Sequence, residues 1–119
     1  MPEIRLGEVE ARFADIIWNN EPLSSGRLAE LAAQELGWKE STSYTILKRL
    51  CQRGLFRNEK RTVTSLISKE EFFALQSEKF VDDTFDGSLP AFLAAFSRRK
   101  RYTEEEVERM KRILDSMRG

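Results

Sequence analysis

Apolar residues recur at helical spacing from the start of the chain. Leu6, Val9, Phe13, Ile16 and Ile17 form one stripe, with Glu8, Glu10, Arg12 and Asp15 opposite, which predicts a first helix from Gly7 to Asn19. Asn19-Asn20-Glu21-Pro22 closes it with turn residues. Ser24 and Ser25 are N-cap candidates for a second helix that turns Leu28, Leu31, Ala32 and Leu36 inward and stops at Gly37. A third helix is predicted from Glu40 to Gln52, ended by Gly54. Its inward residues are Ser43, Leu47 and Leu50, with Ile46 and Cys51 beside them, and its outward residues are Ser41, Tyr44, Thr45, Lys48 and Gln52. The pattern then changes. Residues 55–59 and 62–67 are rich in β-branched and aromatic side chains and read as a hairpin with Lys60-Arg61 at its tip. No Asn-Gly or Asp-Gly pair is present to set the turn type.

The remainder is helical. Ser68-Lys69-Glu70-Glu71 is a capping box that opens a long helix to Phe85, and Asp86-Gly87 breaks it. Ser88-Leu89-Pro90 starts a short helix with Leu89, Phe92, Leu93 and Phe96 on one side. A second capping box, Thr103 to Glu106, precedes an a/d stripe of Val107, Met110, Leu114 and Met117. The expected fold class is therefore mainly α with a small β-hairpin wing. It comprises a winged helix-turn-helix domain in residues 1–67 and a C-terminal helical dimerisation region in residues 68–119. Phe72, Phe80, Phe92, Phe96, Val107, Met110 and Leu114 are more apolar groups than so short a region buries within itself, so a two-fold homodimer is expected. A ligand pocket is the weaker reading of the same phenylalanines.

Charge changes the picture. The 119 residues carry 20 cations and 20 carboxylates, yet residues 39–61 hold 7 cations against 2 carboxylates, in a chain otherwise acidic up to residue 97. A local basic block points to a local anionic partner. A second, Arg98-Arg99-Lys100-Arg101, reads either as a DNA contact or as a solvated linker.

The residue inventory narrows the chemistry. With no His, the commonest acid–base catalyst and nitrogen ligand are missing, and a lone Cys forms no intramolecular disulfide. No nucleophile motif or phosphate-cradling loop is present, so neither an enzyme, a metal site nor a cofactor is expected. Cys51 reads as a small core hydrophobe rather than a redox sensor, and Glu104–Glu106 as cap and dipole chemistry rather than a metal site. Met1 to Arg5 is followed by no apolar leader segment, and no apolar run approaches the ~20 residues needed to cross a bilayer. A cytoplasmic protein without direct membrane insertion is expected.

A recognition helix must present short polar side chains and cations to the major groove while its back packs on the preceding helices. Ser41, Thr42 and Tyr44 occupy the first turn of the third helix, Thr45 and Lys48 flank them, and Lys39 and Arg49 extend the basic surface. Lys60 and Arg61 would meet the adjacent backbone. An ordinary solvated helix face is the plain alternative, and the order of elements together with the basic block favours double-stranded DNA.

At Trp38-(x)3-Thr42-Ser43-Tyr44-Thr45-Ile46-Leu47-Lys48-Arg49-Leu50-(x)3-Gly54-Leu55 the chain resembles the third helix of the penicillinase-repressor family of winged-helix regulators. Leu6-Gly7-(x)2-Glu10 with Ile16-Ile17-Trp18 is similar to that family's opening helix. Gly87-Ser88-Leu89 with Phe92-Leu93-Ala94-Ala95-Phe96 is similar to its dimerisation region. The resemblance implies a homodimeric transcriptional repressor on a dyad operator of a beta-lactam-resistance-type operon, with Ser41, Thr42 and Tyr44 at base-contacting positions. It also implies relief by a membrane-bound sensor protease, with Ala95-Phe96 matching the family's cleaved bond, where better-known members have Asn before Phe. The family usually has a basic residue at Ser41, often Arg or Lys at Tyr44, and commonly Ser at Lys39, so a different operator is expected. The cysteine cluster of the copper-responsive branch is missing. An adaptor that binds another protein through the same scaffold is the alternative of a different class.

Overall fold

A computed structural model describes residues 6–119, so the leader reading of Met1 to Arg5 lies outside the described residues. The chain divides into two compact units, one extending to Lys79 and one from Phe80 to Gly119.

In the first unit, α1 (Glu8–Asn20) buries Phe13, Ala14, Ile16 and Ile17. Val9, expected in that stripe, is 49% exposed; Leu6 covers the core at that end. β1 (Leu23–Ser24) leads directly into α2 (Ser25–Leu36), whose N-cap Ser24 accepts a hydrogen bond from Arg27 N–H. Gly37 ends α2 at φ 69°, a conformation that glycine adopts without steric cost. α3 (Glu40–Gln52) has the predicted bounds, with Ser43, Leu47 and Leu50 buried. Phe13 stacks on Trp38 at the turn between α2 and α3, ring centroids 5.0 Å apart.

The wing is the hairpin of β2 (Phe56–Glu59) and β3 (Thr62–Ser65), paired with Phe56 opposite Ser65 and Glu59 opposite Thr62. β1 adds a third antiparallel strand, Leu23 opposite Val63, giving the order β1-β3-β2. Both wing-tip residues have positive φ, Lys60 at 51° and Arg61 at 66°, the signature of a type I′ turn. The Glu21 carboxylate accepts from Ser65 N–H and Oγ at 2.8 Å, which ties the end of β3 to the exit of α1.

The first half of α4 (Lys69–Phe85) completes this core. Phe72 is 2% exposed and packs against Trp18, whose Nε1–H donates to the Ile67 carbonyl at 3.0 Å. Lys69 pairs with Asp15 at 2.8 Å. Winged helix and C-terminal helices together bear out the expected fold class.

The second unit holds the end of α4, α5 (Leu89–Ser97) and α6 (Glu104–Ser116). Asp86 and Gly87, at φ 51° and 78°, break the chain between α4 and α5. Ser88 caps α5, and the Thr103–Glu106 box caps α6, with Thr103 N–H donating to Glu106 at 3.0 Å. That bond and the Thr103 hydroxyl lower the Glu106 pKa. Phe80, Phe85, Phe92 and Phe96 form a chain of ring contacts ending on Tyr102. No residue of α5 or α6 is buried. Among the described residues, no helix is long and apolar enough to cross a membrane.

Candidate nucleic-acid interface

Alternation on α3 defines the surface. Ser43, Leu47 and Leu50 turn inward at i, i+4 and i+7, which forces Ser41, Thr42, Tyr44, Thr45 and Lys48 outward, where all five are exposed. Lys39 is the N-cap residue of α3 and makes no side-chain cap bond, so its ammonium adds to the positive end of the helix dipole. Thr45 Oγ1 donates to the Ser41 carbonyl at 2.9 Å, leaving its lone pairs for donors and its methyl for apolar contact.

Tyr44 stands between two concavities. One, of about 620 Å³, is lined by Ser24, Ser25, Gly26, Tyr44 and Arg61. The other, of about 330 Å³, is lined by Tyr44, Leu47, Lys48, Cys51 and Asn58. The outward face of α3 is thus a ridge with hollows on both sides, bordered by the start of α2 and by the wing. The Arg61 carbonyl accepts from Ser25 N–H at 2.9 Å, so the wing tip is fastened to the N-terminus of α2.

Of the sequence-predicted DNA-contacting residues, Lys39, Ser41, Thr42, Tyr44, Thr45, Lys48, Lys60 and Arg61 are all exposed around this ridge. Arg49 is drawn the other way. Its guanidinium lies 3.8 Å from Glu10 Oε2, which also pairs with Arg53 at 3.4 Å. Arg49 therefore backs α3 onto α1 rather than extending the outward face. Ser24, Ser25 and Gly26 border that face as well; the sequence marks the serines only as caps, and the strand pairing that brings them to Arg61 spans some forty positions.

Cys51 is half-buried against the core, and burial pushes its thiol pKa up, opposed by the weaker effect of a hydrogen bond to the Asn58 backbone. That suits a packing residue and opposes a reactive thiolate. Among the described residues there is no group of three or more His, Cys, Asp or Glu able to hold a metal ion.

The expected interface residues separate. Phe72 is taken up by the winged-helix core, because the face of α4 that carries it closes over Trp18, so it is withdrawn from any intersubunit surface. Phe80, Phe96 and Leu114 are 51%, 45% and 43% exposed, and Phe92, Val107 and Met110 are partly covered. Leu89, Leu93, Met110, Ile113, Leu114 and Met117 line an apolar groove of about 230 Å³. Ala95 and Phe96 are exposed on the last turns of α5, with Phe96 against Phe92 and Tyr102.

The sequence pattern of the penicillinase repressor family matches residues 6–116. The chain is also similar to the penicillinase repressor of Bacillus licheniformis, at 19% identity over 115 residues that cover 93% of this chain and 90% of that protein.

Proposed function

The chain belongs to the penicillinase repressor family, a family of transcriptional regulators, and from that premise we propose that it represses transcription as a homodimer on a two-fold operator. Each half-site is read by one α3, with Thr42 and Tyr44 at base edges, Ser41 and Thr45 beside them, and Lys39, Lys48, Lys60 and Arg61 on phosphates. The carrying observation is the outward face of α3, which is polar and cationic, exposed and bordered by a basic wing tip. In this reading DNA contact belongs to residues 1–67 and subunit contact to residues 68–119, Phe72 excepted.

Support for the dimer comes from the second unit, where the α5–α6 groove and the exposed rings leave apolar surface that a second copy would cover. The two half-site centres would then lie about 34–36 Å apart, or a multiple of it. The operon is of the beta-lactam-resistance type, by analogy with the relative named above. Relief follows from a cut between Ala95 and Phe96 by a membrane-bound sensor protease, which separates α6 from the rest.

The test is a comparison of variants on an operator selected from random DNA. Lys48→Ala weakens operator and random duplex by the same factor, since phosphate contacts position without specifying. Thr42→Ala and Tyr44→Ala lose discrimination between the two, about 1–3 kcal/mol for each good base contact. Equal losses for all three variants on both duplexes would remove the base-reading assignment. Binding insensitive to salt would point to the protein-adaptor alternative, because DNA binding weakens steeply as counterions compete.

A further inference from the structure

Most cations outside the reading surface are already engaged. Arg27 pairs with Glu30, Arg49 and Arg53 with Glu10, Lys69 with Asp15, Lys111 with Glu108 and Arg118 with Asp115. Arg98, Arg99, Lys100 and Arg101 differ. All are exposed, they follow one another without interruption, and none forms an ion pair among the described residues. They occupy the connector between α5 and α6, where the chain leaves the helix after Ser97 and re-enters one at Glu104. The ring of Tyr102 stacks on Phe96 at 6.2 Å and 20°, so the residues flanking the cationic run meet, while the run's own side chains are exposed. Glu106, the carboxylate whose field Lys100 feels, is bent back into the α6 cap by Thr103. Glu104 and Glu105 lie in the first turn of α6, where the helix dipole already stabilises their charge.

We infer that the 98–101 connector is a second, sequence-independent binding site for the phosphate backbone of double-stranded DNA. None of the four is held in an ion pair among the described residues, so binding an anion breaks no such pair. Arg98 and Arg99 lie in the turn that closes α5, their N–H groups bonded back to the Ala95 and Phe96 carbonyls, so the four cations are clustered, and a duplex presents one phosphate charge per ~1.7 Å of axis to such a cluster. Three of the four are arginines, whose planar fork suits phosphate oxygens better than an ammonium does. The choice of DNA over another polyanion rests on the repressor reading.

The experiment titrates the full chain and its Arg98→Gln/Arg99→Gln/Lys100→Gln/Arg101→Gln variant against a long random-sequence duplex over a salt series. Circular dichroism and sedimentation serve as controls for fold and assembly. The expected result is a shallower plot of log affinity against log salt, by about 0.9 for each phosphate given up. The loss of affinity is the same factor on a selected operator and disappears at high salt. An Arg98→Lys/Arg99→Lys/Arg101→Lys variant keeps the slope, which separates charge from connector conformation. An unchanged slope in the glutamine variant overturns the inference, and loss of binding to anionic phospholipid vesicles beside that unchanged slope assigns the run to a membrane surface instead. The outcomes are separable from failure of the repressor reading. If operator discrimination survives while the slope does not change, only the connector site falls. If the slope flattens while Thr42→Ala and Tyr44→Ala cost no discrimination, the connector stands and the base-reading assignment falls.

Discussion

Replacing Lys60-Arg61 by an asparagine–glycine pair should make the protein more stable and a poorer DNA binder at once. Both wing-tip residues sit at positive φ, where an L side chain other than that of asparagine crowds the following carbonyl at roughly 1–2 kcal/mol each. Glycine at the second tip position removes that cost outright, and asparagine at the first removes part of it, since these are the residues a two-residue type I′ loop prefers. Against this, the glycine loses about 0.5–1 kcal/mol through the extra freedom of the unfolded chain. The net gain is about 1 kcal/mol, a rise of about 4–8 °C in Tm for a domain of this size. The bond from Ser25 N–H to the Arg61 carbonyl is backbone to backbone and survives the change. Binding moves the other way. Two cations fewer per protomer flatten the salt dependence by about 1.8, or about 3.6 for a dimer, if each had neutralised one phosphate. Urea and thermal unfolding measure the first effect and duplex titration across salt the second. Lys60→Gln/Arg61→Gln is the control, because it removes the charges and keeps the strain. If the asparagine–glycine variant is no more stable than the double-glutamine one, the backbone argument is wrong; if the salt slope holds in both, the tip does not touch phosphate.

Two further outcomes follow from the packing. Ser43 Oγ is buried with no hydrogen-bond partner among the described residues, so Ser43→Ala should raise stability by about 1 kcal/mol in urea unfolding while operator affinity stays unchanged, a loss of stability counting against it. A chain ending at residue 95 keeps every residue of the winged-helix core and should fold, yet bind a full operator about 10²-fold more weakly through lost bivalency. Equal affinity of the short and full chains at one salt concentration would leave the proposed cleavage without a mechanism.

Local signals carried most of the architecture. Ser24, Ser88 and Thr103 cap the helices they were expected to cap, and the apolar stripe and Gly54 bounded α3 from Glu40 to Gln52. The outward face of α3 was legible for the same reason: a strong inward stripe dictates what is left outside. What escaped was long-range. β1 is two residues long, and its pairing with Val63 and Thr62 has no local signature. Phe72 lies on a helix whose periodicity says that a face is buried without saying against what, and here Trp18 claims it. The turn at Lys60-Arg61 has a left-handed shape that its residue types disfavour, so only the strands on either side reveal it. Charge was the most misleading signal, because Arg49 and Arg53 share a glutamate about forty positions earlier in the chain, which offsets one of the two charges.

That glutamate bears on how a repressor finds its operator. A genome offers about 10⁶–10⁹ competing sites, so useful occupancy follows the ratio of specific to non-specific affinity rather than affinity itself. A cation shown to phosphate raises both affinities by the same factor, so it leaves the ratio alone and lengthens every stay on bulk sequence. Glu10 draws Arg49 and Arg53 toward α1, and its single charge offsets one of the two, so it withholds about one phosphate contact, about 0.9 in salt slope. The outward face of α3 loses nothing by it. With less of the protein adsorbed on bulk sequence, more of it is free to search.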